Sequence, residues 1–103
     1  MRREHTLKVN VNGRTFNAVI IDSHYEIKHS KSINDAIILD LVKSLEGTEH
    51  RSETKLPSGY EIYVTEPVFL EGKAFRLVWT LHPDEDSIGI VNAFRRSYAK
   101  ISK

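Results

Sequence analysis

The sequence predicts an α+β domain in which an antiparallel sheet, opened by an N-terminal hairpin, carries one main helix packed on one face. Three observations predict it. Two alternating apolar runs are joined by Asn12-Gly13, one stretch near the middle has helical spacing, and the last third alternates again in two runs around a turn rich in Pro and Asp. Two strands, a helix and three or four further strands do not make a βαβ array, so a helix laid on one face of an antiparallel sheet is the economical layered arrangement. The 103 residues are read as a single domain, 1–103, with one core.

In the first run Leu7, Val9 and Val11 share one side, and in the second Phe16, Ala18 and Ile20 alternate. Asn-Gly between such runs signals a type I′ turn, whose two central residues need positive φ, so a hairpin is expected over residues 5–21. The polar, aperiodic segment 22–30 reads as a connection and holds two of the five histidines, His24 and His29. Ser32 is the expected N-cap of a helix over 33–45, with Asp35 three residues on. Ile33, Ile37, Leu41 and Leu45 recur at helical spacing, joined by Ala36, Ile38 and Val42, and Gly47 marks the stop. Residues 48–59 are polar and read as an exposed loop. Alternation resumes from Tyr60 to Thr65, is interrupted by Glu66-Pro67, and continues through Val68-Phe69-Leu70 to a turn at Glu71-Gly72-Lys73. Two closing strands follow.

Composition narrows the function classes. With 40% hydrophobic and 28% charged residues the chain is neither a disordered nor a membrane sequence. The absence of cysteine excludes a disulfide framework, a cysteine zinc site and a thiol nucleophile, and suits the cytoplasm. No stretch approaches the roughly 18 apolar residues of a membrane span, and Met1-Arg2-Arg3-Glu4-His5 leads into strand rather than an apolar signal core. Fifteen Lys and Arg against fourteen Asp and Glu give a net charge of +1, so any anion must be held locally. Locally the charges do segregate: acids gather at Asp84, Glu85 and Asp86, while Arg95, Arg96, Lys100 and Lys103 make the last segment basic.

Strand alternation sorts the candidates into faces. In the 74–81 run, Phe75, Leu77, Trp79 and Leu81 share the side expected to cover the helix, leaving Ala74, Arg76, Val78 and Thr80 on the other. Gly89, Val91, Ala93 and Arg95 form a second small-residue face. If the two coincide, Arg76 and Arg95 stand together over a floor of Ala, Gly and Val, with Glu61, Tyr63 and Thr65 as the matching polar side; a one-residue slip in register reverses this. A guanidinium fork suits phosphate because it donates two parallel charge-assisted hydrogen bonds. The commoner role of such arginines is a salt bridge, for which Glu61 is available. His24 and His29 are the candidate proton carriers, since histidine titrates near neutrality. No HxxxH or HExxH spacing, GxSxG or Gly-rich phosphate loop occurs, so no metal and no cofactor are expected.

Phe75-Arg76-Leu77-Val78-Trp79, the acidic turn, the apolar strand and Asn92-Ala93-Phe94-Arg95-Arg96-Ser97-Tyr98 resemble the closing strands of RelE/ParE-type toxins of bacterial toxin–antitoxin pairs, and Lys28-His29 before the helix is similar to the start of the related BrnT-like toxins. The motif-like part covers roughly the last 30 residues. The resemblance implies a RelE-like fold and a metal-independent endoribonuclease in which a 2′-hydroxyl attacks the adjacent phosphate. Arg76 and Arg95 would then stabilise the phosphorane, Tyr98 would act as an auxiliary acid or stacking group, and His24, His29 or Glu61 would carry protons. Lys28, Arg96 and Lys100 would contact RNA, and an antitoxin protein would be the partner. RelE-like enzymes carry lysines on the strand that here reads Tyr60-Glu61-Ile62-Tyr63 and are strongly basic. This chain departs on both counts, which weighs against cleavage on the ribosome. The alternative of a different class is a non-catalytic binding module, such as a ParE-like toxin that binds a protein, or a partner-recognition domain.

Overall fold

The computed structural model describes residues 2–22 and 33–96. Six strands and one helix follow in the order β1 (Arg2–Val11), β2 (Arg14–Asp22), α1 (Asp35–Lys43), β3 (Thr54–Lys55), β4 (Glu61–Leu70), β5 (Lys73–Leu81) and β6 (Ser87–Arg96). The expected hairpin forms through Asn12 and Gly13, with φ of 55° and 75°, as a type I′ turn requires. Asn34 caps the helix, its side chain accepting from the Ile37 backbone N–H at 2.9 Å. The helix therefore begins two residues later than its apolar spacing suggests, and Ser32 lies outside the described residues. It ends at Lys43, capped by Ser44, and Gly47 takes up the left-handed conformation (φ 76°) in the turn that follows.

The expectation of an antiparallel, RelE-like α+β fold is corrected by the sheet. It is a six-stranded mixed sheet in the order β1-β2-β6-β5-β4-β3, and its only helix among the described residues is nine residues long. The last strand, β6, is inserted in the middle, parallel to β2 (Ala18 opposite Ser87 through Ile21 opposite Ile90) and antiparallel to β5. Alternation reports faces and is silent on neighbours, so the sequence does not place β6 beside β2.

One core joins the layers. Ile38, Leu41, Val42 and Leu45 from the helical segment are buried with Phe75, Leu77, Trp79 and Leu81 of β5, Val9 and Val11 of β1, and Ile88 and Ile90 of β6. The expected odd-numbered face of β5 is therefore the one that meets the helix. The sheet curls around α1 until its two ends approach each other: the Asn12 side chain after β1 donates to the Tyr63 hydroxyl in β4 at 3.3 Å. The segment after α1 lines the far half of β1, with Gly47 N–H on Asn10 O (2.7 Å) and Asn12 N–H on Thr48 O (2.9 Å), which covers part of an otherwise bare edge. Among the described residues nothing packs on the opposite, outer sheet face.

Leu41 is fully buried. Leu41→Ala is expected to cost about 2–5 kcal/mol. In a domain of this size that lowers the melting temperature by roughly 10 °C or more. An unchanged calorimetric midpoint would remove Leu41 from the core.

Candidate functional site

The register of the central strands decides which charges meet. Arg76 lies opposite Phe94, and Phe75 lies opposite Arg95. Directly opposed residues of an antiparallel pair share a face. Arg95 thus stands on the helix side, exposed at the sheet's end, while Arg76 points to the outer face. The two expected phosphate ligands are separated by the sheet itself. The cause is a bulge: the pairing shifts between Val78 opposite Asn92 and Trp79 opposite Ile90, so Val91 is the extra residue and every side chain beyond it changes face.

The same shift brings Arg96 to the outer face. Arg96 opposes Ala74, two residues along β5 from Arg76. Diagonal neighbours of this kind are about 7–8 Å apart, within reach of long side chains. Their common acceptor lies at a second bulge. Between Thr65 opposite Leu77 and Val68 opposite Phe75, both Glu66 and Pro67 face the single residue Arg76. Arg76 NH1 donates to Glu66 Oε1 at 3.1 Å, and Arg96 NH2 lies 3.4 Å from Glu66 Oε2. The Phe94 ring lies beside both guanidiniums, its centre 5.8 Å from the Arg76 Cζ and 5.9 Å from that of Arg96. All three charged side chains keep contact with solvent, with 36%, 38% and 22% of Arg76, Arg96 and Glu66 exposed. In that setting each ion pair adds at most about 1 kcal/mol to stability, so the cluster is a weak staple. Chemically it is a carboxylate shared by two forks on an open surface beside an aromatic ring.

Glu61, one of the expected proton carriers, lies elsewhere. It opposes Leu81, five residues from Arg76 along β5, or about 17 Å of strand. It accepts from the Tyr63 hydroxyl at 3.0 Å. Tyr63 is buried and stacked on Trp79 with ring centres 4.4 Å apart; burial first, and then the Glu61 carboxylate, raise its pKa above the ordinary tyrosine value. The face of Glu61, Tyr63 and Thr65 is thus the helix side, opposite Arg76. His24, His29, Lys28, Tyr98 and Lys100 lie outside the described residues.

Three clusters escaped the sequence reading. Glu66 had a trace, the Glu66-Pro67 break in an alternating strand, which is how a bulge reads in sequence. Arg3 and His5 of β1 converge on Asp35 in the first turn of α1: Arg3 donates from Nε and NH2 to the two carboxylate oxygens (2.8 and 2.7 Å), and His5 Nε2 lies 2.8 Å from Oδ2. This ties the helix N-terminus, where an acid is favoured, to the edge strand. His50 is the third. Its ring meets the edge of Trp79 at 5.3 Å, and its Nε2 lies 2.8 Å from Thr48 Oγ1. Among the described residues no group of three or more His, Asp or Glu side chains converges to hold a metal ion, and no helix is long and apolar enough to cross a membrane. No family model, curated protein or solved structure matches the chain.

Burial lowers the His50 pKa below the usual 6.5. As pH falls through about 6.5 the unfolded chain takes up a proton at this position while the folded chain does not, so stability is lost on the acid side and regained above it. In thermal unfolding between pH 8 and pH 5, His50→Gln is expected to flatten the decline relative to wild type. Parallel curves for the two proteins would show that His50 does not contribute to it.

Proposed function

We propose that the outer sheet face binds RNA through Arg76, Arg96 and Phe94 and that the protein is a metal-independent endoribonuclease, with Glu66 in the position of the base. The observation that carries the reading is the convergence of two guanidiniums from adjacent strands on one carboxylate. Two forks aimed at one anionic group also suit a phosphate whose charge grows as it becomes pentavalent. A carboxylate within reach of the same phosphate can take the proton of the 2′-hydroxyl as that oxygen attacks phosphorus. The bond to the 5′-oxygen then breaks, the leaving oxygen takes a proton from water, and the products are a 2′,3′-cyclic phosphate and a 5′-hydroxyl. Phe94 offers a face on which a base can stack, as in many single-stranded RNA sites. The toxin–antitoxin setting implied by the closing strands is part of the proposal: the partner would present an acidic segment to this face, and the reaction would take place in the cytoplasm, where RNA is available.

The pairing in the resting protein favours a second reading. Arginines already joined to Glu66 suit a non-catalytic module that exchanges one carboxylate for that of a protein partner.

Labelled single-stranded RNA incubated with the protein in EDTA, with and without ribosomes, separates the two. Cleavage leaving cyclic phosphate ends is expected, and Glu66→Gln and Arg76→Ala should each lower the rate by about 10²–10³. RNA binding by Arg76→Ala should fall far less, because ground-state affinity is spread over several phosphate contacts. Cleavage that survives both substitutions, or no cleavage under either condition, would end the ribonuclease reading. Toxicity on expression without cleavage would favour the binding module.

A further inference from the structure

On the helix side, a cavity of about 220 Å³ opens between the end of α1 and β4, lined by Leu45, Thr48, His50, Thr65, Pro67 and Val68 among others. Its hydrogen-bonding character follows from the groups around it. The Thr48 hydroxyl gives its single hydrogen to Leu45 O, so toward His50 it can only accept, and His50 Nε2 must carry the hydrogen of that contact. Burial holds the ring neutral at physiological pH, which leaves Nδ1 with a lone pair and, among the described residues, no partner. Thr65 has the complementary capacity. Its hydroxyl oxygen accepts from Trp79 Nε1–H at 2.9 Å, and its own hydrogen has no acceptor among the described residues. The cavity thus offers the His50 acceptor and the Thr65 donor in a setting otherwise made by Ser44, whose hydroxyl donates to Leu41 O, and by Leu45, Pro67, Val68 and Phe69. Its volume lies below the roughly 300–1,000 Å³ of drug-sized ligand sites, room for one flat ring system rather than a whole nucleotide.

We propose that this cavity binds a single nucleobase, with His50 Nδ1 accepting from a base N–H and the Thr65 hydroxyl donating to a neighbouring carbonyl oxygen or ring nitrogen. For the class of ligand the inference rests on the RNA reading above. The topology links the two sites. β3 pairs only with Glu61 and Ile62, so beyond them the outer edge of β4 has no strand neighbour among the described residues. Glu66 stands on the outer face, and Pro67, the next residue, lines the cavity. An RNA strand whose phosphate meets Arg76 and Arg96 can cross this bare edge and place a flanking base against His50.

Free nucleosides test the pocket without involving the phosphate site. Trp79 is the only tryptophan, is fully buried and contacts His50, so its emission reports occupancy. Titration of adenosine, guanosine, cytidine and uridine into the 103-residue chain is expected to give a saturable emission change for at least one of them, with amide shifts at His50, Thr65 and Val68. His50→Leu should weaken that nucleoside about tenfold, the effect of one lost hydrogen bond, and His50→Gln, which keeps an acceptor, should recover part of the affinity. No saturable change with any of the four, or equal affinity in wild type and His50→Leu, would overturn the pocket. Nucleoside binding by a protein that leaves RNA intact would reject the ribonuclease and keep the pocket; cleavage without nucleoside binding would do the reverse.

Discussion

The pairing of β6 with β2 is the constraint on which the rest of the molecule depends. The hairpin β1–β2 and the meander β4–β5–β6 would otherwise be two separate sheets, of which the two-stranded hairpin would be at best marginally stable. Ala18 to Ile21, laid parallel against Ser87 to Ile90, makes one sheet of them, with Ile88 and Ile90 buried at its centre. The contact joins residues nearly seventy positions apart, which makes it an entropically costly pairing to close. Once it is made, the sheet is wide enough to curl around a helix of nine residues that would be marginal alone.

The curl explains why the two sheet faces differ so sharply. The inner face meets α1 and holds nearly every large apolar side chain; its polar groups are taken up in local bonds such as Trp79 to Thr65 and Tyr63 to Glu61. The outer face carries Ala18, Ile20, Val78 and Gly89 in its middle and the Arg76, Arg96 and Glu66 cluster toward one corner. Glu66 stands outward opposite Arg76 at the β4 bulge, and the β6 bulge exchanges Arg95 for Arg96. Without the second, Arg95 rather than Arg96 would stand opposite Ala74, beside Arg76. Which arginine joins the cluster is thus set by backbone irregularity, at the cost of a locally interrupted hydrogen-bond ladder.

This also marks where sequence reasoning succeeds and where it stops. The Asn12-Gly13 hairpin, the helix around Ile38, Leu41 and Val42, and the inward series Phe75, Leu77, Trp79 and Leu81 were legible, because each is a local periodicity or a turn with a backbone requirement. The neighbour of β6 was not, since alternation carries no information about which strand lies alongside. Neither was the partner of Arg76: faces were assigned by counting in twos from Gly89 to Arg95, and one extra residue at Val91 inverts the count. Clusters such as Arg3, His5 and Asp35, about thirty positions apart in sequence, have no local signature at all.

The β4 edge is where these features meet. Pro67 has no N–H to offer a further strand, and a bulge beside it twists the edge away from regular pairing, so this segment is guarded against strand addition by the means natural sheets use. An edge guarded in this way stays accessible to something other than a strand. On one side of it lies a carboxylate gripped by two arginines, and on the other a neutral imidazole and a threonine hydroxyl above an apolar wall. A ligand with alternating anionic and flat heteroaromatic parts matches that order of surfaces, whereas an extended peptide, which would need the backbone edge itself, does not.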